Sequence, residues 1–213
     1  MVRAAVLVSG GGTNLQAIID AKAAGKIPSA ELALVVASND KAYALTRAAH
    51  AGIPGVVVHK EKGEDIAHYG ERLLSILKEH AIDVVVLAGF LTILPENVIR
   101  AYDHRMINIH PSLIPSFCGA GFYGLRVHEA ALAKGVKVTG ATVHFVNEIP
   151  DGGDIIAQKA VEVLPGDTPE ILQRRVMEQA EWLLLPQALE DVSKNLLEVP
   201  AAAGGTSTNA LDN

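Results

Sequence analysis

Three short stretches carry side chains whose types and spacing could do chemistry. In residues 106–115 (MINIHPSLIP) an apolar series is interrupted by Asn108 and His110 and stopped by Pro111. Alternation of this kind makes a strand whose polar side chains share one face. Pro111 ends it by removing a backbone donor and holding the preceding residue extended. Asn108 and His110 therefore project side by side from the end of a strand. An amide and an imidazole so placed suit a reaction that builds negative charge on a carbonyl oxygen and needs a proton. A satisfied structural pair at a strand end is the alternative, and the residue types alone leave both open.

The second stretch is residues 9–14 (SGGGTN), between an apolar run and a helical pattern. Glycines let the backbone approach a ligand, and the following helix offers free N–H groups and the positive end of its dipole. Gly10 and Gly12 resemble the start of a dinucleotide fingerprint, but Leu15 stands where a third small residue belongs. No lysine follows the glycines, so this is not a Walker loop. The reading is a cradle for one phosphomonoester built from Gly12, Thr13 and Asn14. The alternative is a glycine turn that serves only strand–helix packing.

The third stretch is residues 149–154 (IPDGGD). Asp151 before two glycines marks a tight turn, where an aspartate commonly bonds its own backbone. The functional reading needs Asp151 to reach His110. A carboxylate there would favour the imidazolium and make His110 a proton donor at neutral pH.

Other chemistry-bearing residues form no constellation. The eight histidines show neither HExxH nor paired-cysteine spacing, so no metal site is expected. His144 alternates into a strand and reads as structural, and His128 sits on a helix without a pattern. Cys118, a lone thiol in SFCGAGFYG, reads as incidental, and Ser112 lacks the GxSxG elbow. Glu178 and Glu181 lie three apart on the last helix and read as a solvated face, with contact to a substrate amine or hydroxyl as the alternative.

The elements that position these residues follow from composition and period. The chain has 213 residues, 49% of them hydrophobic but only 4% aromatic, so its core is built from Val, Ile, Leu and Ala. Length predicts one domain over 1–199 and a disordered tail over 200–213. The longest apolar runs are far short of a membrane span, and Met1-Val2-Arg3 leads straight into a strand-like run, with no signal peptide. A single cysteine fits a reducing cytoplasm. Net charge of −6 without a basic cluster argues against nucleic acid as a partner. A soluble, cytoplasmic globular protein is expected.

Strand patterns over 4–8, 32–37, 56–58, 83–88 and 106–110 alternate with helical patterns over 15–27, 42–51, 66–80 and 95–101. Residues 111–124 are rich in Pro, Gly and Ser and form a long functional or surface loop. A helix over 127–134 and strands over 138–146 and 155–163 follow. The link 147–154 is too short for a crossover helix, so these two strands are antiparallel neighbours. A last helix spans about 169–193. The predicted fold is α/β: a doubly wound, mostly parallel sheet with an antiparallel strand near its C-terminal side. Ligands of such sheets bind beyond the carboxyl ends of the strands, where Asn108, His110 and the glycine loop lie.

With these residues in view, the chain resembles the glycinamide ribonucleotide formyltransferases, folate-dependent enzymes of purine biosynthesis with a Rossmann-like fold. The likeness covers about residues 2–189. It is carried by VLVSGGGTNLQAIID, VVVLAGFLTIL (84–94), INIHPSLIPSF (107–117), GATVHFVNEIPDGGDIIAQ (140–158) and AEWLLLP (180–186). NIHPSLLP-like and DGG motifs occur across folate formyltransferases; the SGGGTNLQAIID start and the short chain narrow the likeness.

The resemblance implies transfer of a formyl group from 10-formyltetrahydrofolate, a co-substrate, to the amine of glycinamide ribonucleotide, with no metal. It implies that Asn108, His110 and Asp151 are catalytic and that Gly12, Thr13 and Asn14 bind the substrate phosphate. Leu91, Thr92, Ile93 and Leu94, with Asn108, Asn147, Glu148, Ile149, Pro150 and Asp151, match segments around the pterin. Glu181 and Glu178 fall where the last helix contacts the ribonucleotide. In the implied mechanism the amine attacks the formyl carbon directly, Asn108 and protonated His110 stabilise the oxyanion, and Asp151 orients and charges His110. Thr92 and Ile66 stand where some members have Arg, the Arg175–Glu181 spacing differs by about one residue, and the Ile114–Pro115 bond is implied to be cis.

Two alternatives stand beside this. A formyltetrahydrofolate deformylase would use water in place of the amine; such enzymes usually carry an extra N-terminal domain, whereas this chain starts at its first strand. Methionyl-tRNA formyltransferase is a weaker likeness, with neither a C-terminal domain nor a basic patch in view. A non-catalytic nucleotide or folate sensor is the reading from another class. Oligomeric state is not legible in the residues; family habit alone suggests a homodimer.

Overall fold

The computed structural model describes residues 1–198. In chain order its elements are β1 (Val2–Val8), α1 (Thr13–Ala23), β2 (Ala30–Ala37), α2 (Ala44–His50), β3 (Gly55–Val57), α3 (Ile66–Glu79) and β4 (Val84–Leu87). Then come α4 (Glu96–Ala101), β5 (Met106–His110), α5 (Leu125–Lys134), β6 (Val138–Phe145), β7 (Ile155–Glu162) and α6 (Pro169–Val176). A π turn (Met177–Glu181) joins α6 to α7 (Trp182–Glu198). The expected tail over 200–213 lies outside the described residues.

The strands form one sheet in the order β3-β2-β1-β4-β5-β6-β7. All pairs are parallel except those of β6, which runs against both β5 and β7. Both faces are covered, and β1 shows why its run is apolar throughout. Ala4, Val6 and Val8 enter one core with Leu15, Ile18, Leu185 and Leu189, on the side of α1 and α7. Ala5 and Leu7 enter the other with Tyr69, Leu73, Leu77 and Val98, on the side of α3 and α4. This is the doubly wound α/β sheet that the alternation predicts.

Topology places the site. The chain winds outward from β1 through β2 to β3, then returns to the other flank of β1 as β4. The connections diverge at the carboxyl ends of β1 and β4, and such a divergence leaves a crevice. The loops that leave these strands are tied together there. The Ser9 N–H donates to the Gly89 carbonyl at 3.1 Å, and the Ser9 hydroxyl accepts the Leu91 N–H at 2.8 Å.

Two departures concern the last helix. It continues to Glu198 rather than stopping near Ser193, because no breaker intervenes and Leu196 still packs on the core. It is also not uniformly α-helical. Pro186 offers no N–H to the carbonyl four residues earlier, and the wider π turn lies directly before that point.

Candidate functional site

The glycine loop leaves the start of α1 open. Gly12 caps α1 with φ +72°, in the left-handed region that glycine adopts freely. A side chain there would meet Ala44 Cβ at 2.6 Å. No side chain caps α1, so the first-turn N–H groups, those of Thr13 and Asn14 included, face outward from the positive end of the helix. Arg47 adds charge nearby: its Nε donates to the Gly11 carbonyl at 2.8 Å and its Nη1 to Gln16 at 3.0 Å. A cavity of about 460 Å³ adjoins the loop, lined by Thr13, Gln16, Arg47 and Trp182 among others.

Glu181 reaches this loop from the π turn. Asn14 Nδ2 donates to Glu181 Oε2 at 2.7 Å, and Glu181 as a residue is 6% exposed. The expected solvated face is thus wrong for Glu181, because the widened turn aims it inward. Burial pushes its carboxyl up to about 7, against the Asn14 hydrogen bond, which lowers it. Glu178 behaves as expected of a surface residue: it is exposed and accepts from Arg174 Nε at 2.9 Å. The structure does not bring it to the glycine loop.

The chemistry-bearing groups meet at the end of β5. Asn108 and His110 share a face, as alternation requires, and the 149–152 turn carries Asp151 to them. Asp151 takes φ +56°, and a Cβ at Gly153 would collide with the Phe145 carbonyl, so the DGG sequence suits the turn. Asp151 does not bond its own backbone. Its Oδ2 accepts the Gly119 N–H at 2.8 Å and lies 3.4 Å from His110 Nδ1. Its Oδ1 lies 3.5 Å from both Asn108 Nδ2 and His144 Nε2. Burial would raise the Asp151 carboxyl, but His144, His110 and the Gly119 amide outweigh it and hold the group below the usual carboxylate range.

His110 corrects an expectation. Its side chain is buried, and that burial lowers its affinity for a proton. The Asp151 charge and the Phe117 carbonyl, which accepts from Nε2 at 2.9 Å, pull the other way without prevailing. Asp151 therefore favours the imidazolium, but burial has the larger effect and moves His110 down. The reason is desolvation, which no residue pattern displays.

His144, read as structural, belongs to the cluster. It lies directly across from Asn108 in the β5–β6 ladder. Its Nδ1 donates to the Phe145 carbonyl at 2.7 Å, which leaves Nε2 to accept from Asn108 Nδ2 at 3.1 Å. One Asn108 amide hydrogen is thus occupied, while the other has only the long contact to Asp151. The signal was the alternation of Thr142 and His144 along β6; the register that pairs them with His110 and Asn108 was not readable.

Thr142 anchors the loop after β5: its hydroxyl donates to the Ser112 carbonyl at 2.7 Å and accepts from the Ile114 N–H at 3.1 Å. The Ile114–Pro115 bond within that loop is cis. Cys118 donates weakly to the Pro115 carbonyl at 3.3 Å, and burial pushes its thiol up, away from nucleophile chemistry. His128 is fully buried without a partner for either ring nitrogen among the described residues, and burial lowers it to about 4.

The remaining expected positions divide by exposure. Leu91, Ile93 and Ile149 are large apolar residues left 63%, 78% and 65% exposed. Thr92 is half-buried, and Glu148 and Pro150 are exposed. Leu94 instead points into the core beside Val98. Asn147 and Glu148, with Ile99, Arg100, Asp103 and Val146, line a second cavity of about 330 Å³. Ile66 starts α3 and is exposed.

Residues 2–189 match the family described as Formyl transferase. The chain is 39% identical over 180 residues to the chloroplastic phosphoribosylglycinamide formyltransferase of Arabidopsis thaliana, covering 84% of this chain and 61% of that protein. It is 38% identical over 190 residues to the phosphoribosylglycinamide formyltransferase of Haemophilus influenzae, covering 89% and 86%. It spans only about three-fifths of the plant relative's length. The crystal structure of glycinamide ribonucleotide transformylase 1 from Symbiobacterium toebii superposes with a TM-score of 0.83 at 39% identity, covering 92% of this chain and 89% of that one.

Proposed function

The chain belongs to the formyl transferase family, and from that premise we propose that it moves the formyl group of 10-formyltetrahydrofolate to the amine of glycinamide ribonucleotide, a step of purine biosynthesis. The observation that carries this reading is the Asn108–His110–Asp151 cluster at the end of β5, beside a crevice with a phosphate cradle on its other bank. Gly12, Thr13 and Asn14 take the ribonucleotide phosphate, and Glu181 takes a hydroxyl or amine of the same substrate. Glu178, salt-bridged on the surface, contributes at most through the helix. The exposed Leu91, Ile93 and Ile149 offer apolar cover for a flat pterin, with Thr92, Leu94, Asn147, Glu148 and Pro150 shaping the same segments.

The proposed proton movements start from a neutral His110, the form that its burial favours. As the new C–N bond forms, Asn108 donates its free amide hydrogen to the formyl oxygen, where negative charge develops. His110 accepts the proton that the attacking amine sheds. Asp151 makes the transient imidazolium less costly. His110 then delivers the proton to N10 as the bond between N10 and the formyl carbon breaks. One proton moves from amine to N10, so no metal or covalent enzyme adduct is required. Holding two substrates in line supplies much of the rate.

The reading extends to one formyltransferase domain over 1–199, acting in the cytoplasm, with homodimer formation checked by sedimentation. Among the described residues no helix is long and apolar enough to cross a membrane. The deciding assay follows 10-formyltetrahydrofolate by absorbance with and without glycinamide ribonucleotide. Turnover that requires the ribonucleotide upholds the proposal. Folate consumption without it identifies a deformylase, and tight binding without turnover a sensor.

A further inference from the structure

Consecutive glycines do not hold a loop in one shape, because each can turn its peptide at low cost. Here the carbonyls do the holding. The Ser9 carbonyl accepts from Asn39 Nδ2 at 2.9 Å, the Gly10 carbonyl from the Ala44 N–H at 3.2 Å, and the Gly11 carbonyl from Arg47 Nε at 2.8 Å. These donors all lie in residues 39–47, the turn after β2 and the start of α2. The Gly12 carbonyl accepts the Gln16 N–H at 2.9 Å and opens α1. The loop peptides are trans, and in a trans peptide the N–H points away from the C=O. Drawing the carbonyls of Ser9, Gly10 and Gly11 toward residues 39–47 therefore turns the N–H groups of Gly10, Gly11 and Gly12 to the opposite side. Asn14, only 9% exposed, keeps Oδ1 without a partner among the described residues, an independent sign that a ligand completes the head of α1.

We propose that Arg47 is a positioning residue for the phosphate cradle, holding the Gly11–Gly12 peptide with its N–H presented to the anion. This rests on the proposed role of Gly12, Thr13 and Asn14 in taking the ribonucleotide phosphate. The Gly11–Gly12 peptide has a glycine on each side, so once released from Arg47 it can flip. A flipped peptide would set the Gly11 carbonyl oxygen against the phosphate, two acceptors face to face. Arg47 is itself held in place. Its Nη1 donates to Gln16 Oε1 at 3.0 Å, and its guanidinium carbon lies 5.1 Å from the centroid of the Tyr43 ring. The planar fork thus ties the loop to the first turns of α1, which the single point charge of a lysine could not do. Arg47 belongs to α2, outside the glycine motif, which is why that motif did not announce it.

The test needs no turnover: the 15N-labelled full chain is titrated with ribose 5-phosphate, which carries the phosphate but no amine, and read by its amide resonances. In the wild type the Gly12 and Thr13 amides should move downfield together as the sugar phosphate binds. In Arg47→Ala the affinity should fall about thirtyfold, as for lost hydrogen bonds to charged groups. At saturation Thr13, on the helix, should still move while Gly12 stays near its free position. Unchanged affinity overturns the proposal, and so does weaker binding with the Gly12 shift intact, since charge alone would then be at work. Arg47→Lys keeps the charge without the fork and should stay about tenfold weaker than wild type; full recovery overturns the positioning role. Failure of the wild type to bind ribose 5-phosphate would instead remove the cradle, and this proposal with it. In the formyl-transfer assay Arg47→Ala should raise KM for glycinamide ribonucleotide about thirtyfold and leave kcat within a few-fold, whereas a fall in kcat at unchanged KM overturns the assignment.

Discussion

Two carboxylates of the candidate site are withdrawn from water, one in the 149–152 turn and one in the π turn, and they end up shifted in opposite directions. Asp151 accepts the Gly119 amide N–H, lies beside two imidazoles and is held below its usual range. Glu181 is met by a single neutral amide and rises to about 7. His128, with no partner among the described residues, marks the limit of the series and falls to about 4. Desolvation acts on all three; the number and charge of the donors decide the outcome. A permanent carboxylate suits a group that must steady a passing imidazolium. A carboxyl poised near neutrality suits one that waits for a ligand's hydrogen-bond donors.

The sharpest way to break this contrast is to discharge Asp151. Asp151→Asn should lower turnover by about 100-fold or more with the melting temperature nearly unchanged, and His110→Ala should match it. Near-normal turnover in either variant would remove these residues from the mechanism. A smaller effect is expected at Glu181. Glu181→Gln should raise KM for the ribonucleotide about tenfold, as for a lost hydrogen bond to a charged group, and leave kcat within a few-fold.

The same variant tests the raised carboxyl through stability. Between pH 4.5 and about 7 the folded protein holds a proton on Glu181 that the unfolded chain has released, so this group costs stability as pH rises through that window. Urea unfolding should find Glu181→Gln more stable than wild type at pH 8, by at most about 3 kcal/mol, with the difference gone near pH 4. Equal stability at pH 8 would mean that Glu181 is not desolvated.

His144→Phe removes the acceptor that orients Asn108, and a kcat about tenfold lower is expected. Combined with Asn108→Ala the losses should not add, because both act through one amide; full additivity would show that His144 works elsewhere. The smallest catalytic effect belongs to His128. Its low proton affinity means that the unfolded chain binds the extra proton between pH 6.5 and about 4, so it withdraws stability as pH falls through that range. His128→Leu should flatten that acid slope and leave turnover alone. An unchanged slope would show that His128 titrates normally.

How much of this was legible beforehand depends on range. The strands, the glycine loop and the DGG turn rest on local alternation and on residues that bend the chain, and these are written in neighbouring positions. That Asp151 meets His110 was stated only as a condition, since forty-one positions separate them. His144 was missed because antiparallel register is set by tertiary packing. The downward shift of His110 and the inward turn of Glu181 were both missed for a shared reason. Each depends on how much water the finished fold excludes, and composition does not carry that quantity.

The π turn at Met177–Glu181 has a consequence for how this chain could vary. Each residue of an α-helix advances the side chains by about 100° around the axis, whereas a widened turn absorbs one extra residue without passing that rotation on. The buried stripe of α7, with Leu185, Leu189 and Val192, keeps its phase against the sheet while Glu181 faces Asn14. Deleting one residue from 177–180 would return the segment to plain α-helix with α6 and α7 still in phase, because the wide turn had already absorbed that residue. The chain can therefore vary by one residue here while Leu172 and Val176 before the turn and Leu185, Leu189 and Val192 after it stay on the core.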